Sequence, residues 1–163
     1  MQKRTVIRLG DVFKVKCGDY YRFFQYIADD MTMLNSRVIM VFKERYPLEK
    51  IPELSKVVQG EIEFYAHTSV KLGIKMGLWE KIGQVPVLRK IDVLFRRSKD
   101  YTEGNKVTVS ARWEVWRINE DFQYVGRLKG ENRKSEIGLV EPPIEIVERI
   151  KRGKYSYYYP DYE

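Results

Sequence analysis

Cysteine and histidine are almost missing from this 163-residue chain. Cys17 stands alone, so no disulfide can form within the chain, which fits a reducing compartment. His67 is the sole histidine, and no Cys/His cluster has the spacing of a metal site, so no metal and no other cofactor is expected. No window approaches the roughly 18 consecutive apolar residues of a membrane span. Residues 1–11 lack the apolar core of a signal peptide. The expectation is a soluble protein of the cytoplasm, away from any membrane. A phosphate-binding loop, a dinucleotide fingerprint and a nucleophile elbow are also absent. Nothing in the sequence points to an enzyme, and no catalytic residue is assigned.

What the chain does have is aromatic mass: Tyr 12, Phe 7 and Trp 3. Aromatic and β-branched side chains fill pleated surfaces well, so the composition leans towards strands. Hydrophobic residues make up 44% and charged residues 33%, which excludes wholesale disorder. The formal net charge is +7, with the basic excess concentrated in residues 1–46 and 84–134. Such a surface admits nucleic acid or an acidic protein as partner without requiring either.

Residues 6–43 read as a β-meander. Phe13, Val15 and Cys17 alternate with Lys14 and Lys16 over 6–17. Gly18-Asp19 marks a turn, and Tyr20 to Ala28 returns with apolar residues on both faces, as an inner strand would. Asp29-Asp30 opens the next turn, before the run Val38 to Phe42. Pro52 to Gly60 predicts a short helix with Leu54, Val57 and Val58 as its buried stripe. Strict alternation over 61–76 predicts one long strand, with Gly73 as a bulge and His67 on the polar face. Further strands are expected over 91–95, 107–115 and 122–128, with an exposed loop over 96–105. Pro142-Pro143 opens a helix over 143–152 that Gly153 ends. The expected fold is one α+β domain over 1–163. Its antiparallel sheet would be strongly curled and partly barrel-like, with a short mid-chain helix, a C-terminal helix and a Tyr-rich tail over 154–163.

The stretch Ile74 to Pro86 joins the halves, with Gly77 and Gly83 bracketing Leu78, Trp79 and Ile82. Trp79 is either a core residue held by two turns or an exposed anchor. Phe13, Gly77, Gly83, Trp79 and Trp113 are assigned structural roles. Trp113 and Trp116 are an odd number of positions apart, so they face opposite sides of a strand and cannot share one stacking platform. Partner contact is assigned to the tail tyrosines Tyr155, Tyr157, Tyr158 and Tyr159, and to Arg96 and Arg97, because tyrosine and arginine are enriched at interfaces. His67 reads as a structural or surface histidine, the carboxylate pairs Asp29-Asp30 and Glu120-Asp121 as turn residues, and Glu61/Glu63 as a solvated strand face.

Gly10-Asp11-Val12-Phe13 at the start of an aromatic meander resembles the immunity protein 26 family of bacterial polymorphic toxin systems. The likeness continues in Gly77-Leu78-Trp79 with Ile82-Gly83 and Pro86, and in Pro142-Pro143-Ile144. The resemblance implies a protein that neutralises a cognate toxin by tight binding, with no catalysis and no cofactor. The net charge departs from the acidic, substrate-mimicking pattern of many nuclease inhibitors. A β-rich nucleic-acid-binding module is the alternative.

Overall fold

The computed structural model describes residues 4–102, 104 and 107–163; among these, eleven strands form two open sheets. Strands β1 (Asp11–Cys17), β2 (Tyr20–Asp30) and β3 (Ser36–Phe42) make an antiparallel meander. Its first turn needs Gly18, whose φ is 73°. β2 is apolar on both faces because it lies between β1 and β3. A short β4 (Tyr46–Pro47) pairs with the start of β2. The single-turn helix α1 (Leu54–Val57) packs Leu54 and Val57, with Val58, on one face of the sheet. β5 (Ile62–Thr68) then pairs antiparallel with β3.

Here the long strand expected over 61–76 breaks. Ser69 caps a new helix, α2 (Val70–Lys75), by accepting a hydrogen bond from Leu72 N at 3.4 Å. Gly77 ends it with a φ of 72°, and Leu78 N donates back to Gly73 O at 2.9 Å. Gly73 is therefore a helix residue and not a bulge. Leu72 and Met76, expected to face the core, are exposed. β6 (Glu80–Gln84) returns along the far side of β1.

The second sheet is built from β7 (Leu94–Ser98), β8 (Trp113–Arg117) and β9 (Gln123–Gly126), antiparallel in that order. Arg96 and Arg97 thus sit on a strand, not in the loop expected over 96–105; the loop's last residue, Asn105, lies outside the described residues. After a 3-10 turn at Gly130–Lys134, the chain threads between the sheets. β10 (Glu136–Ile137) adds in parallel to β7, and β11 (Val140–Glu141) adds in parallel to β5. One six-residue stretch therefore edges both sheets. Helix α3 (Pro143–Arg152) follows and ends at Gly153, whose φ is 80°.

The strongly curled, partly barrel-like sheet expected from the meander does not form. Both sheets are open and mix antiparallel with parallel pairs. The first runs β11-β5-β3-β2-β1-β6, and its end strands β11 and β6 do not meet. Two physical causes act together. Helix α2 cuts short the strand that would have carried the curl, and the chain after β6 starts a second sheet.

The two sheets bury their facing sides together, with Val12, Phe23, Val38 and Met40 meeting Phe95 and Trp116. The other face of the first sheet carries Phe13, Phe24, Ile39 and Phe64 under Trp79, α3 and Tyr155. The outer face of the second sheet places Trp113, Val115 and Leu128 under Tyr159 and Tyr162. Among the described residues no helix is long and apolar enough to cross a membrane.

Candidate functional site

Between the sheets lies a charged group that the sequence placed in a turn. Asp30 is fully buried and accepts four hydrogen bonds. Its Oδ2 takes His67 Nε2 and Trp116 Nε1, each at 2.9 Å; its Oδ1 takes Asn119 N at 3.0 Å and Thr32 N at 3.1 Å. A buried carboxylate is tolerated when its lone pairs are filled in this way. Burial pushes the carboxyl up, but the bonds from Asn119, His67 and Trp116 outweigh it and hold Asp30 below its ordinary value. His67 is also held below its ordinary value, chiefly by burial, against the pull of Asp30. It is therefore neutral at pH 7, with the proton on Nε2 facing Asp30 and a buried, unpartnered Nδ1. Phe95 packs on its ring at 4.2 Å. The polar face assigned to His67 is in fact the contact between the sheets.

This carboxylate braces two turns. The β2–β3 turn holds Met31, Thr32, Leu34 and Asn35; the β8–β9 turn holds Asn119 and Glu120. Besides sharing Asp30, they are tied by Met31 N donating to Asn119 Oδ1 at 2.7 Å and Thr32 Oγ1 donating to Glu120 O at 2.7 Å. Among the described residues, the three non-glycine positions with positive φ are Leu34 at 57°, Asn35 at 52° and Asn119 at 65°. All three lie in these two touching turns. Asparagine tolerates this backbone region, but leucine does not, and such strain persists only where the surroundings hold it. The result presents Leu34 and Met31 to solvent at 84% and 77% exposure, on a tip that cannot easily collapse.

The residues assigned to partner contact are scattered, and most are committed to the protein itself. Tyr155 is buried against Phe64, and the Tyr157 hydroxyl donates to Glu141. The Tyr159 hydroxyl accepts from Ser98 N at 2.7 Å, and its ring packs on Tyr101 and Trp113. Tyr158 alone of the four is more than half exposed. The tail pairs with the segment before β8 through Ser110 N to Asp161 O and Asp161 N to Thr108 O, both at 2.9 Å. Arg97 lies 3.8 Å over the Phe122 ring and 3.5 Å from Glu114. Arg96 donates to Ser135 O and lies 5.7 Å over Trp113.

Phe13 stacks on Phe24 at 5.0 Å, and Trp113 is fully buried with Nε1 donating to Ser110 O at 2.9 Å. Trp79 is buried edge-on to Phe24, and its Nε1 donates to Val70 O at 2.9 Å. Gly83 pairs with Val12, where a side chain would run into Leu54. No family model, curated protein or solved structure matches this chain. Among the described residues, no group of three or more His, Cys, Asp or Glu is placed to hold a metal ion.

The tail supplies a pH-dependent contact. Burial pushes Glu141 up to about 7, above its ordinary 4.5, although the Tyr157 hydroxyl bond pulls it back. The folded protein therefore binds this proton more tightly than the unfolded chain, and its stability falls as pH rises from 4.5 through 7. Glu141→Gln keeps an acceptor for Tyr157 and removes that loss. Urea unfolding at pH 8 should show a gain of about 2 kcal/mol, fading towards zero at pH 4.5. A gain of equal size at both pH values would contradict the assignment.

Proposed function

We propose that the protein is an immunity protein: a stoichiometric inhibitor that binds and neutralises a cognate bacterial toxin in the cytoplasm without catalysis. The observation that carries this reading is the braced tip. Leu34, on strained backbone, and Met31 are held out on a turn that a buried carboxylate braces, and a preorganised apolar anchor loses little entropy on docking. The family resemblance of the three sequence stretches supports the same reading. The expected occupant is a toxin surface with an apolar socket for Leu34 and Met31. Exposed Tyr158 and the basic surface would add steering towards acidic groups on the toxin.

Co-expression with the toxin encoded beside its gene tests the proposal. The intact protein should restore growth and co-elute with the toxin at one-to-one ratio. Leu34→Asp should weaken the complex by about 100-fold or more, the size of an anchor loss, and abolish rescue. Because the side chain is exposed, its thermal midpoint should hardly move. Leu34→Gly relieves the strained φ and so should raise stability while still losing the anchor. Neither rescue nor complex for the intact protein would sink the reading.

A second reading has its own observation. On the second sheet, Lys99 lies 5.7 Å over the ring of Tyr124, which is 60% exposed, beside the Arg97–Phe122 pair. Cations beside exposed aromatics suit single-stranded nucleic acid. However, Glu114 lies against both Arg97 and Lys99, at 3.5 and 3.7 Å, and would repel phosphates. Binding that falls steeply with salt and is lost in Tyr124→Ala would favour this alternative.

A further inference from the structure

Where β7, β10 and the end of α3 meet, a cleft of about 350 Å³ opens among Arg96, Glu136, Arg149, Lys154 and Tyr155. It lies apart from the braced tip, and its chemistry is one-sided. Three cations face one carboxylate. Glu136 is held by Arg149 at 3.2 Å, and burial pushes its carboxyl above the ordinary value despite that partner. Among the described residues Arg96 has no carboxylate of its own, and its Nε–H is buried without a partner. Tyr155 is 8% exposed, and although Arg149 lies beside its hydroxyl, the phenolic proton has no acceptor. A buried donor left unpaired carries a cost that an incoming acceptor removes.

The walls are rigid. The Arg149 guanidinium lies over the rings of Phe64 and Tyr155 at 4.1 and 5.0 Å, and Tyr155 stacks on Tyr157 at 5.4 Å. The end of α3 would ordinarily repel an anion through its free carbonyls. Two of these are occupied: Ile150 O accepts from Arg22 Nη1 at 3.3 Å, and Arg149 O accepts from Gly153 N at 2.7 Å.

We propose that this cleft binds a phosphate group, carried by a small phosphate monoester or free as inorganic phosphate. Two unspent donors call for a ligand that only accepts hydrogen bonds. The charge left after Glu136 is set against one cation matches a dianion better than a single carboxylate. Arginine suits phosphate because its planar fork meets two oxygens at once. The cleft is also larger than a phosphate group alone, which leaves room for the alcohol part of an ester beside Ile137 and Gly153.

The test needs only the isolated protein, so it stands or fails independently of any toxin. Inorganic phosphate and phenyl phosphate are titrated separately by calorimetry, with amide and arginine Nε resonances followed by NMR. Saturable binding below about 10 mM, with shifts at Arg96, Arg149 and Tyr155, is expected. Lys154→Gln, on the exposed rim, should weaken it about fivefold, and Tyr155→Phe, which removes only the hydroxyl, by a similar factor. Neither change disturbs the apolar packing, so both variants should fold. Tighter binding of phenyl phosphate identifies an ester ligand; equal affinity identifies free phosphate. Absence of saturable binding, or binding that both variants leave unchanged, overturns the proposal.

Discussion

Replacing Asp30 by alanine is expected to destabilise the protein by about 4 kcal/mol, which is a large share of a typical domain's total. The loss goes beyond four hydrogen bonds. Trp116 Nε1, His67 Nε2 and the amides of Asn119 and Thr32 would be left as donors without an acceptor. His67 and Trp116 have no exposed path to water, so their desolvation cost stays unpaid. Asp30→Asn should cost less, about 2 kcal/mol, because its amide oxygen still accepts while its NH2 must face a donor. Urea unfolding monitored by tryptophan fluorescence gives both values. The pH profile carries a second signature. Asp30 sits below its ordinary 3.8 when folded, so its contribution is present above that pH and fades as pH falls further. His67, depressed by burial, contributes above 6.5 and loses that contribution as pH falls through its lower folded value. Acid unfolding of the native protein should therefore begin with His67 and finish with Asp30. If Asp30→Ala unfolded at the same urea concentration as the native protein, the buried hub would have no structural weight.

A change of sign is expected at Gly73. A β-carbon there would sit 1.9 Å from Trp79 Cζ2, so alanine cannot be accommodated without moving the indole. Gly73→Ala should cost about 2 kcal/mol: overpacking of up to about 3, less about 1 returned by alanine's better helix propensity. Trp79→Ala should cost about 4 kcal/mol, since it empties the space against Phe24 and removes the bond to Val70 O. In the Trp79→Ala background the clash is gone, and Gly73→Ala should become stabilising by about 1 kcal/mol. The double-mutant cycle then gives a coupling near 3 kcal/mol, well outside what independent sites show. Additive effects would mean that the indole does not rest on α2. Gly138 stands in the same relation to Trp116, with a β-carbon distance of 2.1 Å to its ring. The two faces of the first sheet are thus each keyed by a tryptophan seated on a glycine.

The meander was legible because its pattern is local. Phe13, Val15 and Cys17 alternate with lysines, and β2 is apolar on both faces, which places it inside a sheet without any partner being known. Residues 69–76 were misread because Val70, Leu72, Ile74 and Met76 fit a period of two. Val70 and Ile74 also fit a helical spacing of four. The deciding features are Ser69 as a cap and Gly77 as a stop, both present in the sequence but weaker than the alternation. Curl was the wrong inference because a single sequence does not say which strands return to close an edge. The hub was invisible for a similar reason. Asp30 does sit at a turn, yet its ligands come from 37, 86 and 89 positions away. The available clue was the turn itself, where Met31 and Leu34 put apolar side chains in a place that ordinarily favours polar ones. The arginine cleft draws on three separate stretches of chain, so no motif could announce it.

The tail reaches both layers: Tyr155 and Tyr157 settle against the first sheet, Tyr159 and Tyr162 against the second. During synthesis these tyrosines leave the ribosome after every strand they cover. Until they arrive, a nascent chain with both sheets already paired still shows Trp113, Val115 and Leu128 to its surroundings, and that bare patch is where a chaperone would hold it.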